Sequence, residues 1–105
     1  MIHYAQSIQN KNFQKFDYGK LNPSEYNQTV APEYDVTKVQ VPVALYWAKN
    51  DWLADPDDVN FLRKNVPKVV DDLECNDYNH LDFMWATNAR EIFYDRMIRL
   101  MKTYL

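Results

Sequence analysis

Asp51 and His80 are the two residues whose types and placement point to chemistry. Asp51 lies in N-D-W-L-A-D-P, which begins at Asn50, and His80 in Y-N-H-L-D-F, which begins at Tyr78. Each sits just past a strand-like run, and the stretch between them has room for one helix and one further strand. That arrangement brings both side chains to one edge of a parallel sheet. An aspartate there can accept from the Nδ1–H of a histidine, fixing its tautomer and stabilising the imidazolium. The other ring nitrogen is then free to take a proton from a serine hydroxyl. The pair is two thirds of a Ser-His-Asp triad. The chain has only Ser7 and Ser24, one in a helical pattern and one in a Pro-containing loop.

The elements that must position the pair are readable from periodicity. Residues 2–16 read as a helix with Ile2, Ala5, Ile8, Phe13 and Phe16 on one face, stopped by Gly19. From Lys20 to Lys38 the text is polar and broken by Pro23 and Pro32, which predicts a long loop draped over other structure. Val39 to Trp47 is the best strand. Its second half is continuously apolar, as in a parallel strand covered on both faces, and Pro42 belongs near its beginning. After the Asp51 loop, Asp55 is placed to cap a helix with Pro56 at its first position and Asp57 and Asp58 in its first turn. Val59, Leu62 and Val66 make its inner face, and Pro67 closes it.

Lys68 to Cys75 reads as a weaker, edge strand because Asp71 and Asp72 dilute it. The histidine loop follows. The last helix is expected to start near Asn88, which with Glu91 resembles a capping box. Its apolar stripe is Ala89, Ile92, Phe93, Met97, Leu100, Met101 and Tyr104, with Asp95 and Arg99 paired on the other side. Tyr78, Phe83 and Trp85 are expected as core around the histidine loop. Trp52 and Leu53 are expected to pack beneath the acid or border a pocket, and Asp82 to brace the histidine loop. His3 has no partner motif. The acidic group Asp51, Asp55, Asp57 and Asp58 lacks the glycine and distal glutamate of a calcium loop, so it reads as a turn and a helix start.

Bulk composition narrows the class. The 105 residues suffice for one small domain with a modest core, and 47% apolar with 15% aromatic residues excludes a disordered chain. A net charge of −3 gives no electrostatic reason to expect nucleic acid. No stretch approaches the roughly 18 uninterrupted apolar residues of a membrane span, and the opening residues lack the basic start and apolar core of a signal peptide. Cys75 is alone, which leaves no internal disulfide. Gly19 is the only glycine, where about seven would be usual. Phosphate cradles, oxyanion loops and strained nucleophile turns lean on glycine, so the chain reads as incomplete. Two strands with crossover helices are half a sheet at best, and their order reads as a C-terminal piece.

At this point the chain resembles the acid lipases, the gastric, lysosomal and insect lipases of the α/β-hydrolase fold. The resemblance rests on Phe16-Asp17-Tyr18-Gly19, Pro32-Glu33-Tyr34, the strand Val43 to Trp47, the run Asn50 to Val59, and Tyr78 to Ala86. It implies the chain order serine, acid, histidine, with Asp51 as triad acid and His80 as triad base. It also implies a neutral lipid ester as substrate, either triacylglycerol or sterol ester, no metal or organic cofactor, and a secreted or lysosomal glycoprotein. Residues 1–19 would then end a cap region, residues 20–38 connect, and residues 39–105 form the C-terminal part of the hydrolase core. The expected fold is thus α/β: a C-terminal fragment with about two parallel strands and flanking helices, partnered by an N-terminal part of the same protein.

Two departures from the family are visible. The glycine of the tight turn before the acid is replaced by Trp47-Ala48-Lys49, which predicts a shifted or strained loop. The glycine-flanked nucleophile serine and the oxyanion loop have no counterpart, so the chain alone is expected to be inactive. The alternative is a non-catalytic remnant acting as a binding or interaction protein. Asn27-Gln28-Thr29 is an N-glycosylation sequon.

Overall fold

The computed structural model describes residues 1–105, which divide into two compact units, Met1–Asp35 and Val36–Leu105.

In the first unit the opening helix is shorter than its periodicity suggests. Helix α1 spans Ile2–Asn10 and ends where Lys11 takes a left-handed conformation, φ 54°. Beyond it the chain is extended, and Gln14 forms an isolated antiparallel bridge with Glu33. The predicted apolar face is consequently not buried: Ile2, Ile8 and Phe13 are exposed. Ring contacts that run from His3 through Phe16 and Tyr18 to Tyr26 organise this unit together with polar bonds. Gln6 bonds both ways with the Asp17 backbone, and buried Asn22 accepts from Tyr18 N while donating to Asp17 Oδ1 and the Thr29 carbonyl. Gly19, at φ +59°, sits in the turn that Asp17 closes by accepting from its N–H, and a short 3-10 turn covers Gly19–Leu21. The segment expected as one long loop also holds helix α2, Asn22–Tyr26, with Pro23 in its first turn and a second 3-10 turn at Val36–Lys38.

The second unit is an α/β layer structure. Strand β1, Val43–Trp47, pairs in parallel with β2, Val69–Glu74, through helix α3, Pro56–Asn65. The strand begins one residue after Pro42, where the missing donor does no harm. Helix α3 is capped as its local sequence dictates: Asp55 accepts from Asp57 N at 2.8 Å, and Pro56 takes the first position. After β2 come the histidine loop, a short helix α4 at Asp82–Trp85, and a π-helical turn at Arg90–Tyr94 that runs into helix α5, Asp95–Thr103.

Asp71 and Asp72, expected to weaken β2, are what bind it to both covering helices. Adjacent strand residues point to opposite faces. Asp71 accepts from Arg96 on α5 and from the Tyr46 hydroxyl at 2.8 Å. Asp72 accepts from Arg63 on α3 and from Trp47 Nε1 at 2.8 Å, and the Arg63 guanidinium lies over the Trp47 ring. The arginine partner in each case, with the Tyr46 hydroxyl and Trp47 indole behind it, overrides burial and holds both carboxyls below their usual range. The sheet therefore lies between α3 and the last helix.

Three further expectations are corrected. Asn88 does not cap the last helix; its Oδ1 accepts from the Tyr78 hydroxyl at 2.7 Å. Asp95 pairs with Arg90 rather than Arg99. Of the last helix's stripe, Ala89 and Phe93 are buried, whereas Ile92, Met101 and Tyr104 are exposed. The core collects Ala48, Cys75, Tyr78, Ala89 and Phe93, flanked by Tyr46, Leu73, Phe83, Ala86 and Tyr94. Ala48 and Cys75 are the first residues past the two strands, so this core lies directly under the loops that carry Asp51 and His80.

Candidate active site

The acid loop is built by a tight turn and then fastened by its own aspartate. Asp51 N donates to the Ala48 carbonyl at 3.3 Å, closing the turn that leaves β1. Ala48 is fully buried and absent from the left-handed region, so the strain expected of a non-glycine residue there does not arise. Asp51 Oδ1 accepts from the backbone N–H groups of Leu53 and Ala54, both at 2.9 Å. The side chain thus holds the loop that follows it, in the manner of an Asx turn.

The other carboxylate oxygen faces the histidine. Asp51 Oδ2 lies 3.0 Å from His80 Nδ1. Asp51 is 3% exposed and His80 49%, so a buried acid orients a ring that is half open to solvent. Burial pushes the Asp51 carboxyl up. The Ala54 N–H, His80 and the Leu53 N–H together outweigh it and leave Asp51 below its ordinary value, ionised at neutral pH. An ionised acceptor at this distance selects the tautomer with hydrogen on Nδ1, which leaves Nε2 as the proton-accepting nitrogen.

The histidine loop is fixed on both sides. Below it, Tyr78 is buried, its ring edge-on to Phe83 and Phe93 and its hydroxyl bonded to Asn88. The turn into it places Asp77 at φ 50°, a conformation aspartate tolerates better than most residues. Around it, Asp82 Oδ2 accepts from Asn79 N at 2.7 Å, and Asn79 Oδ1 accepts from Leu81 N and Asp82 N. Asp82 braces the loop as the sequence suggested.

The large apolar residues beside the pair are not packed beneath it. Trp52 is 91% exposed and Leu53 is exposed, and Trp85, expected in the core, is 70% exposed. With Leu81 and Met84 they make the acid and histidine loops apolar on their outer sides. No group of three or more His, Cys, Asp or Glu side chains converges to hold a metal ion. Ser7 Oγ donates to the His3 carbonyl and Ser24 Oγ to the Leu21 carbonyl, each within its own helical segment. No helix is long and apolar enough to cross a membrane.

This geometry meets a consistent set of relatives. The chain is 38% identical over 106 residues to Lipase 3 of Drosophila melanogaster, covering 98% of the chain and 27% of that protein. It is 39% identical over 102 residues to gastric triacylglycerol lipase of Bos taurus, covering 95% of the chain and 26% of that protein. The human lysosomal acid lipase/cholesteryl ester hydrolase is 37% identical over 106 residues, covering 99% of the chain and 27% of that protein. The chain matches a C-terminal part of an acid lipase. It spans about a quarter of the length of the curated relatives it matches. No family model matches it. The two parallel strands with helices on both faces make an α/β fold.

Proposed function

We propose that the chain is the C-terminal part of an α/β-hydrolase-fold lipase, in which Asp51 and His80 are the acid and base of a Ser-His-Asp triad. The observation that carries this reading is the 3.0 Å hydrogen bond from His80 Nδ1 to buried Asp51 Oδ2, at the C-terminal ends of two parallel strands. The nucleophilic serine and the oxyanion donors belong to the upstream part of the same protein. His80 Nε2 takes the serine proton as the hydroxyl attacks an ester carbonyl, then returns it to the departing alcohol. The same nitrogen activates water to release the fatty acid. Asp51 stays ionised throughout and stabilises the imidazolium.

The relatives' activities favour a neutral lipid ester as substrate, triacylglycerol or sterol ester, and a secreted or lysosomal enzyme. The exposed apolar side chains of Trp52, Leu53 and Trp85 beside the pair suit such a substrate. In this reading residues 1–19 end the cap and residues 39–105 close the catalytic core. Asn27 is exposed at the left-handed end of α2, φ 56°, and suits an N-linked glycan. The decisive test is the coding sequence upstream of this chain. A strand, a G-x-S-x-G elbow and a helix in frame support the lipase. A stop codon there refutes it for this product and favours the non-catalytic alternative.

A further inference from the structure

The residues flanking His80 bond to each other across it. Asn79 N donates to Asp82 Oδ2 at 2.7 Å, while Leu81 N and Asp82 N donate to Asn79 Oδ1 at 2.9 and 3.2 Å. This is the reciprocal arrangement of a capping box; its Asp82 is the first residue of α4, and His80 is enclosed within it. The ring itself gets little help from packing, because His80 is 49% exposed and its bond is to Asp51. A half-exposed imidazole retains much of its rotamer freedom, so a fixed main chain is needed to keep it in one orientation. Tyr78 fixes the chain before His80 through the core and Phe83 fixes it three residues after, but Leu81, directly beside the histidine, is exposed, so no apolar contact holds the residues next to the ring.

We infer that Asn79 and Asp82 are positioning residues for His80: their paired side chains hold the backbone so that Nδ1 stays on Asp51 and Nε2 stays aimed at the nucleophile. The inference rests on the triad reading above. Neither residue touches the reacting atoms. Loosening the box lets the ring swing, and a misplacement of about 1 Å in a catalytic group costs up to about 100-fold in rate.

The test uses the full-length lipase that carries this chain at its C-terminal end, with a soluble short-chain ester. Asp82→Ala and Asn79→Ala should each lower kcat by about 10-fold or more with KM unchanged. Asp82→Asn retains an oxygen able to accept from Asn79 N and should restore most of kcat. Wild-type kcat in the alanine variants overturns the inference. So does a lowered melting temperature with unchanged kcat per folded enzyme, which would make the box a stability device only. If Asp82→Ala does not fold, Asn79→Ala and Asp82→Asn decide the matter between them. His80→Ala separates the two claims: if it retains turnover, the triad reading falls and this one with it. If it is inactive while both alanine variants match wild type, only the positioning role falls.

Discussion

Replacing Asp51 by asparagine isolates the orienting role of the acid from its structural role. Oδ1 accepts two backbone N–H groups, from Leu53 and Ala54, both at 2.9 Å. An amide oxygen can serve both, so the asparagine is expected to keep its oxygen on that side. Its NH2 then faces His80 Nδ1, where Asp51 Oδ2 stood at 3.0 Å. A donor there needs an acceptor, so His80 moves its hydrogen to Nε2 and can no longer take a proton from serine. In hydrolases of this constellation the wrong tautomer lowers kcat by about 10⁴, equivalent to about 5 kcal/mol of barrier. The cost in folding is far smaller. Both backbone bonds survive, and the bond to the half-exposed ring is reversed with loss of its charge assistance, so stability falls by about 1 kcal/mol or less. Asp51→Ala behaves differently, because two N–H groups lose their acceptor; about 1–3 kcal/mol of stability goes with them. Turnover by the full-length enzyme and urea unfolding of the same samples read the two effects separately. An Asp51→Asn enzyme within 10-fold of wild type, or one that unfolds as readily as Asp51→Ala, refutes the reasoning.

Phe93 is 5% exposed, with the rings of Tyr46, Tyr78, Phe83 and Tyr94 around it; Phe93→Ala should cost about 3–5 kcal/mol by denaturant unfolding, and a loss under about 1 kcal/mol would contradict the core as described. Asp51, Asp71 and Asp72 are held below their ordinary values, so the unfolded chain binds more protons and stability rises with pH. Their contribution is complete above about pH 4 and is lost as pH falls through the lower folded values, so urea midpoints should change little from neutrality to about pH 5 and drop below about pH 4. A midpoint that rises on acidification would contradict the assignment. Secreted protein should lose mass on treatment with an N-glycan amidase, and Asn27→Gln should remove that shift; equal masses before and after refute glycosylation at Asn27.

Local signals were legible in the sequence and tertiary ones were not. The Asp55-Pro56 start of α3 depends on neighbours within one turn, and the structure has it as read. The strands followed from apolar runs, with β1 trimmed at Pro42. The opening helix was overextended because a periodic pattern says nothing about Lys11 turning left-handed. Asn88 and Asp71 were misjudged for one reason: each is used by a distant partner, Tyr78 or Arg96, that no short window contains. At the site, chain order and loop placement anticipated that Asp51 and His80 would meet. The exposure of Trp52 and Trp85 was missed because an aromatic residue beside a core segment looks the same whether its ring turns in or out. Asn79 was overlooked, although its spacing from Asp82 is that of a capping box and was available to be read.

The account's central claim is that His80, held by Asp51, activates a serine supplied by the upstream part of the protein. A fluorophosphonate probe tests it most directly, because labelling needs an activated serine and no particular lipid. The full-length protein should be labelled on a serine upstream of this chain, and His80→Ala should abolish that labelling while leaving the protein folded. Labelling that persists in folded His80→Ala would contradict the claim.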